Sequence, residues 1–122
     1  MVEKKFISLG KRGELIAKRF LERTGYDIIA TNIKLGNLEI DLTASHQGWL
    51  YFFEIKTKSV NQIKQTDSLI SKKQLSNLKR AAHIYAARNQ VGWEKIKFDL
   101  LVVYIDDLLK KATIKRHHDI FS

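Results

Sequence analysis

Apolar positions recur along this chain with two different periods, and the switches between them mark out its elements. From Ser8 to Thr24 a stripe of Leu9, Ile16, Phe20 and Leu21 has helical spacing. Ser8 suits the N-cap and Gly25 the residue just past the last turn, although Gly10 and Gly13 weaken the first turns. Tyr26 to Ile33 reads as a strand and Lys34 to Asn37 as a turn. Leu38 to Ser45 alternates with period two, and Trp49 to Thr57 is rich in aromatic and β-branched residues. These two runs predict a hairpin closed by Gln47-Gly48.

Ser59 to Ile70 is polar and aperiodic, which predicts a mobile connection. Ser71 to Asn89 returns to helical spacing, with Leu78, Ala81, Ala82 and Tyr85 facing inward. Ser71 and Gln74 match the capping-box spacing at its start. Lys97 to Ile105 is almost continuously apolar, as expected of a central strand covered on both faces. Asp106-Asp107 predicts a turn, and Ala112 to Arg116 a short edge strand. The order is helix, three strands, helix, one or two strands. It predicts one α/β domain over residues 1–122, with a mixed central sheet flanked by helices.

The hairpin carries the candidate chemistry. Strict alternation puts Leu38, Ile40, Leu42 and Ala44 on one face of its first strand, and Glu39, Asp41 and Thr43 on the other. On the second strand Glu54 and Lys56 share a face, while Tyr51, Phe53 and Ile55 bury the opposite one. With Gln47-Gly48 as the turn, Asp41 lies opposite Glu54, and Glu39 opposite Lys56. Opposed side chains have Cβ atoms about 5 Å apart, so these carboxylates repel unless a cation sits between them. Mg²⁺ or Mn²⁺ suits such an oxygen set, held by Asp41, Glu54, the Ile55 backbone carbonyl and waters. Lys56 is placed to orient an attacking water or to stabilise charge on a phosphate. Glu14 joins this cluster if the first helix packs near the hairpin. It also forms an i,i+4 pair with Lys18, worth only about 0.2–0.5 kcal/mol. The competing reading has Asp41 and Glu54 paired with lysines on a solvated face.

Composition narrows the partner. The 122 residues carry 22 Lys and Arg against 13 Asp and Glu, a formal charge of +9, which points to a polyanion and above all to nucleic acid. Lys11, Arg12, Lys58, Lys72 and Lys73 are the residues expected to meet it. A nucleic-acid-binding module without catalysis would share that charge, and would show salt-sensitive binding. The absence of cysteine excludes disulfides and thiolate metal sites. No apolar run has membrane-spanning length and the first residues lack signal-peptide features, so a soluble cytoplasmic protein is expected. His46, His83, His117 and His118 read as surface residues, and Trp49 and Trp93 as core or rim packing, with stacking on bases as the alternative.

These motifs together resemble the YraN-like family of the restriction-endonuclease-like, or PD-(D/E)xK, superfamily, whose relatives include archaeal Holliday-junction resolvases. The resemblance covers nearly the whole chain. It is carried by Gly10-Lys-Arg-Gly13-Glu14 with Ala17, Leu21 and Gly25-Tyr26, by Asn32, by Glu39-Ile40-Asp41-Leu42 and by Phe53-Glu54-Ile55-Lys56-Thr57-Lys58. Lys73-Gln74, Ala81, Tyr85, Phe98-Asp99 and Asp119-Ile120-Phe121 extend it. The chain departs from the family at Leu38, where a glycine is usual, and lacks the superfamily's proline before its aspartate. The resemblance implies a restriction-endonuclease-like αβββαβ core and Mg²⁺-dependent cleavage of DNA, branched or single-stranded. It implies Asp41 and Glu54 as metal ligands, Lys56 as the catalytic lysine and Glu14 as an additional acid from the first helix. Gln74, with Lys73, stands as the auxiliary polar residue, beside its alternative role as a cap. Glu39 and Asp99 are supporting residues. Many nuclease-fold proteins cut two strands as dimers, so a homodimer is compatible with the resemblance, although no self-complementary surface is readable.

Overall fold

The computed structural model describes residues 7–60 and 70–121. The elements are α1 (Leu9–Arg23), β1 (Asp27–Leu35), β2 (Leu38–His46), β3 (Trp49–Ser59), α2 (Lys72–Arg88), β4 (Ile96–Asp106) and β5 (Lys111–His117), with a 3₁₀ turn at Trp93–Lys95 ahead of β4. The predicted connection from Ser59 to Ile70 falls mostly on residues 61–69, outside the described residues; Ser59 itself closes β3.

The five strands form one mixed sheet in chain order. Neighbours are antiparallel except β3 and β4, which run parallel and are joined through α2. A parallel pair needs a long crossover, and α2 supplies it. The second hairpin closes on Gln47 and Gly48, with φ of +51° and +83°. Two positive φ values are what a tight turn between twisted strands requires, and they set the register expected from the sequence. Leu42–Phe53, Thr43–Phe52, Ala44–Tyr51, Ser45–Leu50 and His46–Trp49 pair across it.

Alternation along β3 divides the core. Tyr51, Phe53 and Ile55 pack with Ala17 and Leu21 of α1 and with Leu101, Val103 and Ile105 of β4. Leu50 and Phe52 pack on the other side with Leu78, Ala81 and Ala82 of α2 and with Phe98. The helices therefore cover opposite faces, and β4 is buried between them as its apolar run predicted. Gly13 lets α1 lie directly on β3: it is buried, and a Cβ there would overlap the Thr57 side chain. The same glycine that weakens the helix locally is required by its packing. Among the described residues no helix is long and apolar enough to cross a membrane.

One expectation fails, and it bears on the site. Leu42 and Ala44 pack on the α1 side, whereas Leu38 and Ile40 belong to the α2 side. The four do not share a face. The change of side falls at Asp41, between the β1–β2 pairs Thr31–Leu42 and Ile33–Ile40. Across from it Asn32 has φ +50°, in the left-handed region that interrupts a regular strand. β1 also carries a register shift between Ile28 and Ala30. The resulting kink breaks the simple in–out rule midway along β2.

Candidate metal centre

The β2–β3 ladder stops at Leu42–Phe53, one residue short of Asp41 and Glu54. Asp41 is thus not a ladder partner of Glu54, as the regular register had predicted. Its side chain instead reaches β3 itself, where Oδ2 accepts the Ile55 N–H at 2.8 Å. Past the end of pairing, the carboxylate takes the place of a backbone carbonyl on the neighbouring strand. That bond satisfies a donor otherwise left without a strand partner on this side, and it fixes the Asp41 side chain.

The expected proximity survives by this different route. Asp41 and Glu54 line one cleft of about 260 Å³, together with Asn37, Glu39, Gln74 and Asn77. Both carboxyls are partly buried. Glu54 has its pKa pushed up to about 7, first by burial and then by the charge of Asp41; the Lys56 ammonium offsets only part of this. Asp41 is raised as well, again chiefly by burial. The Ile55 N–H opposes that shift, and the charges of Glu14 and Glu39 add to it. The charge of Asp41 opposes ionisation of Glu54, so the metal-free pair favours holding one proton.

The remaining predicted residues divide by place. Lys56 sits half-buried beside Glu54 and acts on it through charge, without lining the cleft. Glu14 does not line the cleft either. Its carboxylate pairs with Lys11 Nζ at 3.4 Å, not with Lys18, while its charge still reaches Asp41. Among the described residues no three His, Cys, Asp or Glu side chains come together in a metal-holding group. Asp41, Glu54 and Glu39 line the cleft, and Glu14 acts on it from outside that lining. Ile55 touches the site through its N–H.

Gln74 combines a place in the cleft with the capping bond. It lines the cleft, and its Oε1 accepts the Ser71 N–H at 3.1 Å while Ser71 Oγ accepts the Gln74 N–H. Lys72 and Lys73 are exposed on the same first turn of α2, outside the cleft lining. Lys11 is exposed on α1, and Lys58 is half-buried on β3. The Arg12 guanidinium is engaged with Asp107 at 2.6 Å, across the turn between β4 and β5. Asn77 was missed by sequence reasoning. Its spacing of three from Gln74 puts it on the same helix face, which is the signal that would have found it.

The histidines are less uniform than expected. His83 and His118 are exposed, but His46 stacks on Tyr26 at 4.3 Å and its Nδ1 lies 3.1 Å from the Gly25 carbonyl. His117 is half-buried. Asp99, a supporting residue in the sequence reading, lies on the α1 side of the sheet, bound to Arg116, and is separate from the cleft.

Comparison with known proteins places the chain in a family. Residues 13–103 match the uncharacterised protein family UPF0102. A UPF0102 protein of Cytophaga hutchinsonii is 33% identical over 103 residues, covering 84% of this chain and 89% of its own. One from Flavobacterium psychrophilum is 31% identical over 113 residues, covering 93% and 92%. Another from Chloroherpeton thalassium is 30% identical over 116 residues, covering 94% and 89%. Their names state membership and no activity. The match spans α1 through most of β4 and includes every residue of the cleft, so the chain belongs to the UPF0102 family.

Proposed function

We propose that this protein is a nuclease of the PD-(D/E)xK type, dependent on Mg²⁺ or Mn²⁺, that hydrolyses phosphodiester bonds of DNA, with branched or single-stranded DNA as its substrate. The observation that carries this reading is the burial of Asp41 and Glu54 in one cleft, where burial raises the cost of ionising both and the charge of Asp41 raises it further for Glu54. A fold gains nothing in stability from two such groups together, whereas a hard cation would turn their repulsion into coordination. The donor set fits: carboxylate oxygens in an open cleft with room for water, as Mg²⁺ prefers. When bound, such an ion supplies charge neutralisation at the phosphate and a more acidic water.

The chain's own residues do the rest. The Ile55 N–H fixes Asp41 so that its other oxygen is available to the cleft. Glu54 takes up or gives a proton near neutral pH, which suits a group that must be ionised only when the site is loaded. Lys56 presents a cation beside Glu54, placed to hold a phosphate oxygen or an attacking water. Glu14 and Glu39 strengthen the negative field that draws a cation in. The net charge of +9 supports a nucleic-acid substrate. A cytoplasmic location goes with that substrate.

The test is incubation with Mg²⁺ or Mn²⁺ and a panel of linear, flapped and four-way DNA. Cleavage of at least one substrate is expected, with a loss on the order of a hundredfold in Asp41→Asn or Glu54→Gln. Absence of cleavage on all of them, or activity that survives both substitutions together, overturns the proposal. Salt-sensitive binding without turnover would leave the non-catalytic binding module as the function.

A further inference from the structure

A second cleft, of about 270 Å³, opens between the start of β4, α2 and the C-terminal segment. Its walls include two aromatic rings that the fold leaves partly in solvent, Trp93 at 38% and Phe121 at 37% exposure. Each ring is held from behind. His83 stacks on the Trp93 indole at 3.6 Å, nearly parallel, and Phe121 meets Phe98 edge-on at 4.7 Å. Lys79 and Lys97 line the same cleft. The Lys79 ammonium lies 5.5 Å from the centre of the Phe121 ring, and Lys97 lies 4.4 Å from that of Trp49. Asp119 also lines it, its backbone N–H anchored on Asp99 at 3.0 Å.

We infer that this cleft binds an unpaired base of a single-stranded nucleic acid. Braced aromatic rings offer a flat apolar surface, and every base has a face that can stack on it. The two lysines suit the flanking phosphates. An exposed cation–ring contact is weak, so Lys79 leaves Phe121 for a phosphate at little cost. A protein partner would not explain two lysines lining the same cleft as the exposed rings, and the excess of basic residues over the chain as a whole favours a phosphate-bearing ligand. The inference depends on the nucleic-acid reading of the metal centre for its biological setting, but it concerns residues outside that cleft and needs no cation.

Binding is therefore measured in chelator, so that cleavage plays no part. A short oligothymidylate and an abasic strand of equal length are titrated into the Trp49→Phe protein, in which Trp93 is the only tryptophan. The base-bearing strand is expected to quench Trp93 and to bind about tenfold more tightly. Trp93→Leu and Phe121→Leu, made in the wild-type background and followed by strand anisotropy, should each reduce that preference and leave abasic binding unchanged. Phe121 lies outside every helix and strand, so its variant carries the test if Trp93→Leu does not fold. Equal affinity for the two strands, or a preference that survives in the folded variants, overturns the inference. Thymidine monophosphate binding as tightly as the strand also overturns it, since the cleft would then serve free nucleotides. Failure of the nuclease reading would appear separately, as an absence of cleavage with cation while the base preference persists.

Discussion

Among the described residues, two places bury carboxyl groups wholly or in part, and they treat them in opposite ways. Asp99 is 1% exposed and fully answered. Arg116 Nε and Nη2 donate to its Oδ2 at 2.9 and 2.6 Å, the Asp119 N–H donates to Oδ1, and His118 stands 3.2 Å away. The Arg116 guanidinium also lies over the Tyr26, Tyr51 and Phe53 rings, so its charge is held in place by packing. Asp41 and Glu54 have one backbone N–H and the partial influence of Lys56 against two carboxyls and the fields of Glu14 and Glu39. The first arrangement is complete within the protein. The second is short of positive charge, and that deficit is what supports the proposed cation site over a structural pair.

The largest effect should come from disturbing the complete arrangement. Arg116→Met keeps much of the contact with the three rings but strands Asp99 without its cation. Removing one partner of a buried pair costs about 3–5 kcal/mol. Chemical denaturation should show a loss of that size, and Asp99→Asn added to Arg116→Met should recover much of it. A loss below about 1 kcal/mol would mean that Asp99 is not held by this pair.

The deficient site predicts the reverse sign. Glu54 titrates near 7 when folded, against 4.5 for its ordinary value. Between those values the folded protein keeps a proton that the unfolded chain releases. Stability from this group is therefore present at acid pH and is lost as pH rises through about 7, by up to about 3 kcal/mol. Glu54→Gln in chelator should be more stable than the wild type at about pH 8, and the gain should vanish toward pH 4. Saturating Mg²⁺ should reverse the ranking. A hundredfold excess over its dissociation constant stabilises the wild type by about 2.7 kcal/mol and should do little for the variant. Denaturation curves that show Glu54→Gln less stable at every pH would remove the contrast between the two sites.

Much of the frame that holds these sites was legible in the sequence, because it depends on neighbours along the chain. The α1 span, its Ser8 cap, the Gln47-Gly48 turn and the register beyond it follow from local chemistry that each residue carries. The cleft was legible only in part. Periodicity brought Asp41 and Glu54 together by assuming a regular ladder, whereas the structure does so through a kink and a side chain that caps β3. Asn32 tolerates a left-handed backbone, but nothing in its neighbourhood demands one, so the change of face along β2 could not be read. The Asp99–Arg116 pairing was also hidden, because it joins residues on two strands and is defined by packing rather than by spacing. The requirement for Gly13 is of the same kind, since Thr57 lies far along the chain.

The smallest effect tests whether the wall of the cleft is separable from its charge. Ser71 and Gln74 cap α2 reciprocally, and Gln74 lines the cleft from that position. Ser71→Ala removes the acceptor of the Gln74 N–H but introduces no charge and leaves Glu54 in place. Loss of an N-cap costs about 1 kcal/mol. No titrating group is removed, so the loss should be the same at pH 5 and pH 8, unlike the pH-dependent gain from Glu54→Gln. A Ser71→Ala penalty that grows or disappears between those two conditions would show that the cap and the carboxyl pair are coupled. The helix start would then belong to the charge balance of the site, and the division between framework and chemistry drawn from Asp99 and Glu54 would not hold at this wall.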